Sequence, residues 1–281
     1  MSDFHWYPGH MAKAKRAILE DLKLIDVVIE LTDARAPLSS RNPDINNMAN
    51  GKGRIMVMSK SDLAEPSGND SWTQYFKDEG LDAACVDMKS GSGMKRIRSL
   101  LMDAAEKKHE KDKRKGIRMQ RPVRALVCGI PNVGKSTFIN SMAKRNVAKT
   151  GNRPGVTKGK QWITVSKGIE LLDSPGLLWP KIEDEKAALN LALLGSMNDE
   201  AINIERLVGE LISIMAERYP GILSGMYGVS AGDDATAVLS KMAGSLNMLQ
   251  KGGEPDLDRA RQFLLDSFRN GNYGRMTLEL P

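Results

Sequence analysis

The chemistry in this chain begins at Gly129-Ile130-Pro131-Asn132-Val133-Gly134-Lys135-Ser136-Thr137. The run fits the spacing G-x-x-x-x-G-K-[ST], between an apolar run that reads as a strand and a segment that reads as a helix. Glycines at the two ends let successive backbone N–H groups converge on phosphate oxygens, and the helix start adds partial positive charge. Lys135 is placed to reach the β- and γ-phosphates of a nucleotide, and Ser136 to ligate Mg²⁺. Some forty residues on, Asp173-Ser174-Pro175-Gly176 ends another apolar run. Asp173 there can hold the same Mg²⁺ through water, and the Gly176 N–H can approach the γ-phosphate. Thr157 lies between these motifs in a glycine-containing loop. It reads either as a switch residue lending its hydroxyl to Mg²⁺ or as an ordinary loop residue.

The base is read elsewhere. Ser59-Lys60-Ser61-Asp62 follows the apolar run Ile55-Met56-Val57-Met58 and looks like the N-K-x-D motif of GTPases. The carboxylate of Asp62 can accept from guanine N1–H and N2–H together, a donor pair that adenine lacks. The stem of Lys60 can lie over the base. Ser59 departs from the usual Asn, which bonds the base and braces the P-loop. Asp87-Met88-Lys89, after the next apolar run, stands where GTPases carry S-A-K and keeps only the lysine. The reading is GTP binding and hydrolysis, with the base motif before the P-loop instead of after it. Circular permutation allows this order, because domain termini often lie close together.

The elements that must position these residues follow from apolar patterning. Runs at 27–31, 55–58, 83–86 and 124–128 alternate with helical patterns at 70–79, 93–108 and 135–145. Strand–helix alternation implies parallel strands, and apolar runs without alternation imply strands covered on both faces. Residues 161–165 and 169–172 read as two strands joined around Lys167-Gly168. Residues 11–24 read as an amphipathic helix. Beyond Pro180 the patterns at 184–195, 203–218, 232–247 and 256–270 are all helical, separated by turn signals such as Tyr219-Pro220-Gly221. The expected organisation is an α/β GTPase domain, residues 1–182, followed by a helical domain, residues 183–281.

Charge and composition narrow the partners. The net charge is +6 with a pI near 9.2, and aromatic residues make up 5% of the 281 residues. Excess positive charge attracts polyanions or merely aids solubility, and the scarcity of aromatics argues against a stacking platform for single strands. Lys107–Arg121 is basic: either a solvated helix end with a linker, or a phosphate-contacting segment. Cys85 and Cys128 lack metal or disulfide spacing. No apolar stretch is long enough to span a membrane, and the start is not a signal peptide. These features fit a cytoplasmic protein.

Further residues carry the resemblance: Trp6-Tyr7-Pro8-Gly9-His10-Met11-Ala12-Lys13-Ala14, Asp33-Ala34-Arg35-Ala36-Pro37, Pro154-Gly155-Val156-Thr157 with Gln161-Trp162, and Leu177-Leu178-Trp179-Pro180. With the nucleotide motifs, they make the chain resemble circularly permuted GTPases of the YlqF/RbgA type, which assist assembly of the large ribosomal subunit. The resemblance implies a GTP-driven switch that binds a large-subunit precursor through rRNA and ribosomal proteins, working as a monomer.

Many GTPases orient the attacking water with a Gln after D-x-x-G; here Leu177 stands there and cannot. His10 is the candidate replacement, by imidazole chemistry and by the family's P-G-H-M motif, against a helix-packing role. Asn132 either helps hold K⁺ near the α- and γ-phosphates or makes a structural bond. Lys13, Lys15, Arg16 and the 107–124 stretch are candidate rRNA contacts. A GTPase regulating another RNA or protein, and a nucleotide-binding module without turnover, stay open as alternatives.

Overall fold

The computed structural model describes residues 19–117, 121–148, 161–166, 168–174, 182, 184–197 and 203–281. Among these residues six strands form one sheet: β1 (Val27–Asp33), β2 (Gly53–Ser59), β3 (Asp82–Val86), β4 (Val123–Gly129), β5 (Gln161–Ser166) and β6 (Ile169–Asp173), in the order β3-β2-β1-β4-β6-β5. All neighbours pair in parallel except β5, which turns back antiparallel on β6. Between the strands lie α1 (Asp44–Met48), α2 (Pro66–Asp78), α3 (Met94–Arg114) and α4 (Lys135–Ala143). This is the expected α/β architecture, with the P-loop strand β4 in the sheet interior beside β1.

The sheet is covered on both faces, which is why its central strands read as apolar runs without strict alternation. Ile29, Leu31, Val57 and Val127 point to a face packed by Ile97 and Leu101 of α3 and by Phe138 and Ile139 of α4. Their neighbours point the other way. Val28, Leu126 and Cys128 meet Ile45 of α1, and Met56 and Met58 meet Trp72 and Phe76 of α2. Cys85 and Cys128 are free thiols.

Among the described residues beyond 184 the named elements are all helical: α5 (Glu185–Leu193), α6 (Ile204–Arg218), α7 (Pro220–Tyr227), α8 (Ala235–Ser245) and α9 (Leu257–Asn270). Four of these starts carry an acidic or amide cap. Asp184, Asn203, Asp234 and Asp256 each accept from a backbone N–H in the first turn, satisfying a donor the helix leaves open.

Three details differ from the sequence reading. Tyr219-Pro220-Gly221, expected as a turn, opens α7, because proline at the first helical position needs no donor. The short helix α1 was not expected. The basic stretch is helical through Arg114 rather than ending at 108. Part of it is structural: Lys108 pairs with Asp112 one turn on, and Arg121 forks onto both oxygens of Asp26 at 2.8 Å. Lys107, Lys111, Lys113, Arg114 and Lys115 remain exposed. Among the described residues no helix is long and apolar enough to cross a membrane.

The segment after α9 returns to the sheet. The N–H of Met276 donates to the Leu63 carbonyl at 2.9 Å, that of Leu278 to the Arg35 carbonyl at 2.7 Å, and the indole of buried Trp72 to the Glu279 carbonyl at 3.0 Å.

Candidate functional site

The parallel strands aim their carboxyl ends at one edge, where ligands of such sheets bind. β4 delivers Gly129 there. A Cβ at Gly129 would stand 2.5 Å from the Leu31 carbonyl oxygen, so the P-loop leaves the sheet where only glycine fits. Asn132 and Gly134 take left-handed backbone angles, φ 59° and 98°, and Gly134 caps the start of α4. Turns of this kind direct backbone N–H groups inward.

Lys135 is buried beneath the loop. Its ammonium donates to the carbonyls of Gly129 at 3.1 Å and Ile130 at 2.6 Å. Burial pulls its pKa down to about 8, and the carboxylate of Asp173 opposes that shift. Asp173 ends β6, buried, in register with Val127 of β4. Ser136 is half-buried in the first turn of α4. A hydroxyl and a carboxylate are hard oxygen donors. Mg²⁺ takes one or two such protein ligands and completes its shell with phosphate and water, so this pair fits that ion.

The loop proposed from sequence to read the base leaves β2 beside the P-loop. Ser59 is fully buried and does not line the cavity. Its Oγ lies 2.7 Å from the Val133 carbonyl oxygen and 2.9 Å from that of Thr32. Serine thus ties the end of β2 to the P-loop. Lys60 adopts φ 55°, and its ammonium lies 2.9 Å from Asp33 Oδ2. Asp62 stands at the mouth, 3.8 Å from the exposed ammonium of Lys89. The third loop is held by Asp87, whose Oδ1 accepts from the Lys89 N–H at 2.8 Å. Met88 reaches over the P-loop, its methyl 3.4 Å from where a Cβ on Gly134 would be.

One cavity of about 580 Å³ joins these loops, a size suited to a nucleotide. Lys60 and Asp62, Asp87 to Lys89, Asn132 to Gly134, and Thr137 all line it. Residues from the sequence-distant helices complete the wall, among them Leu194, Gly195, Asp266 and Arg269. Asn132 donates from Nδ2 to the Gly195 carbonyl at 2.6 Å, so its structural bond leaves the P-loop for the helical part. His10, Thr157 and Gly176 lie outside the described residues, as do Lys13, Lys15 and Arg16.

Sequence reasoning gave no role to Asp33, Arg35, Gly195 or Arg269. Asp33 and Arg35 were visible as part of a motif of the resembling family. For Gly195 and Arg269 helical periodicity offers no signal, because a helix end facing a distant loop is set by tertiary packing.

Comparison with known proteins agrees with this geometry. Residues 124–218 match the family described as 50S ribosome-binding GTPase. Ribosome biogenesis GTPase A of Bacillus cereus is 44% identical over 277 residues, covering 98% of this chain and 93% of that one. Ribosome biogenesis GTPase A of Thermotoga maritima is 32% identical over 276 residues, covering 98% and 94%. The solved structure of GNP-bound YlqF from T. maritima superimposes with a TM-score of 0.68 at 29% identity, covering 96% of this chain and 98% of that one. With relatives this similar over nearly its whole length, the chain belongs to the ribosome biogenesis GTPase A family and is a GTP-hydrolysing enzyme.

Proposed function

We propose that this GTPase is an assembly switch for the large ribosomal subunit: its GTP form binds a subunit precursor, and hydrolysis releases it. The observation that carries the nucleotide half is the single cavity lined by both Asp62 and the P-loop, which lie far apart and in inverted order in the chain. The ribosomal half rests on the relatives, named as ribosome biogenesis GTPases.

In this reading Asp62 accepts from the guanine edge and Lys60 covers the base. The P-loop N–H groups and Lys135 hold the phosphates. An incoming phosphate competes for the Lys135 ammonium, replacing neutral carbonyl partners with anionic ones. Ser136, Thr157 and Asp173 would hold Mg²⁺, which supplies positive charge to the phosphate oxygens. Gly176 approaches the γ-phosphate through its N–H, and His10 orients the attacking water in place of the missing glutamine. The Oδ1 of Asn132 is left for K⁺, and equal hydrolysis rates in K⁺ and Na⁺ would remove that ion from the account.

Residues 1–182 act as the GTPase domain and residues 183–281 as the helical domain, in a monomer working in the cytoplasm. The exposed lysines and arginine at the end of α3 are candidate rRNA contacts. The test is co-sedimentation with large-subunit precursors. Retention with a non-hydrolysable GTP analogue, loss with GDP, and a steep decline with salt are expected. Equal retention in both nucleotide states would refute the switch.

A further inference from the structure

Asp33 closes β1 with a side-chain exposure of 1%. Two cations converge on its carboxylate. Arg35 donates from Nε to Oδ1 and from Nη2 to Oδ2, each at 2.9 Å, and the Lys60 ammonium meets Oδ2 at 2.9 Å. Burial pushes this carboxyl up, but Arg35 and Lys60 outweigh it and hold it well below the usual carboxylate range. The group is a fixed anion whose plane is set by the arginine fork.

The remaining edge of Arg35 faces the other way. Its Nη1 donates to the carbonyls of Phe268 at 3.3 Å and Arg269 at 3.4 Å, and its guanidinium lies 5.2 Å from the centre of the Phe268 ring. These carbonyls belong to the last turn of α9, whose end favours a positive charge; that of Phe268 also accepts from the Gly271 N–H at 3.1 Å. Arg35 therefore caps α9 with one edge and fixes the carboxylate that holds Lys60 with the other. The tail after α9 secures the same loop: besides the Met276 bond to Leu63, Thr277 Oγ1 accepts from the Glu65 N–H at 3.1 Å. The tail is anchored in turn by the Glu279 carboxylate, which accepts from Leu38 N–H, Ser39 N–H and the Ser39 hydroxyl. On the far side of the cavity, Arg269 donates to the Ala192 and Leu193 carbonyls at the end of α5, next to the Gly195 that receives Asn132.

We propose that Asp33 and Arg35 are positioning residues for guanine recognition, tying Lys60 to the C-terminal end of α9 so that docking of the C-terminal helices and guanine binding strengthen each other. The proposal rests on the assignment of Lys60 and Asp62 to the base. Linkage is reciprocal: whatever draws α9 or its tail away loosens guanine, and bound guanine nucleotide holds the tail down.

A merely structural pair would weaken every ligand alike when broken. A positioning pair weakens the base contact and spares the phosphate contact. The experiment measures release of fluorescent GDP and binding of inorganic tripolyphosphate, on the full chain, for Arg35→Met and Glu279→Ala. Arg35→Met should release GDP about tenfold faster, the scale of one charged hydrogen bond, with tripolyphosphate affinity unchanged. Glu279→Ala touches no nucleotide-contacting residue and should also speed GDP release. It decides the matter if Arg35→Met fails to fold. Unchanged GDP release, or equal losses for GDP and tripolyphosphate, overturns the coupling. Asp62→Asn separates the two levels: it should exchange guanine for xanthine preference, because an amide can donate where the carboxylate only accepted. If that exchange fails, the base assignment falls and takes the coupling with it. If it succeeds while the other two variants release GDP normally, the coupling alone falls.

Discussion

The hydroxyl of Ser59 sits 2.7 Å from the Val133 carbonyl oxygen, joining the end of β2 to the P-loop. The contact is fully buried, so its loss leaves the P-loop carbonyl without that donor. Ser59→Ala should cost about 1 kcal/mol of stability and weaken GDP binding roughly fivefold. Calorimetric titration and thermal unfolding check this. Wild-type GDP affinity in the variant would show that the P-loop needs no brace from β2.

Lys135 gives nucleotide binding a pH dependence. With its pKa near 8 in the free protein, the ammonium loses its proton as pH rises through that value. Bound phosphate favours the charged form and holds the proton on. Above about pH 8, GDP binding must therefore take up protons, and affinity must fall as pH rises. Calorimetry in two buffers of different ionisation enthalpy, at about pH 8.5, measures the uptake directly; zero uptake contradicts the assignment. The effect on folding has the opposite sign. The ordinary value of 10.5 applies to the unfolded chain, so between about 8 and 10.5 the unfolded state binds more protons and this group adds stability as pH rises.

Trp72 fills the core between α2 and the outer face of β2, stacked on Phe76 and bonded through its indole to the Glu279 carbonyl. Trp72→Ala should cost about 3–5 kcal/mol in urea unfolding. A cost below about 1 kcal/mol would mean that the site collapses around the gap.

His10 is assigned to the attacking water by its chemistry and by the resemblance, and lies outside the described residues. His10→Ala should leave GDP affinity at the wild-type value while slowing subunit-stimulated turnover at least tenfold. Equal slowing with a matching loss of nucleotide affinity would point to a packing role instead.

The α/β plan was legible because it rests on local rules, and the same rules brought the P-loop and Asp62 forward as candidates that line one cavity. Apolar runs without alternation mark strands buried on two faces, as Val27–Leu31 (Glu30 aside) and Leu126–Val127 are. The P-loop and Asp62 announce themselves by residue type and spacing. What escaped was long-range. Arg35 reads as a charged loop residue, yet it is buried between Asp33 and the end of α9, more than 230 residues away. Arg269 reads as a helix-end cation, yet it lines the same cavity as Asp62 and the P-loop. Ser59 looked like a loss relative to asparagine, and its brace became visible only once the Val133 carbonyl was placed beside it.

In the proposed switch the ribosomal substrate is also the activator of the GTPase. The most direct measurement is GTP hydrolysis in K⁺ buffer, with and without purified large ribosomal subunits, with ATP as control. The account predicts slow GTP turnover that rises strongly with the subunit, and no comparable ATP turnover. GTP turnover indifferent to the subunit would contradict the ribosomal switch while leaving the GTPase itself in place.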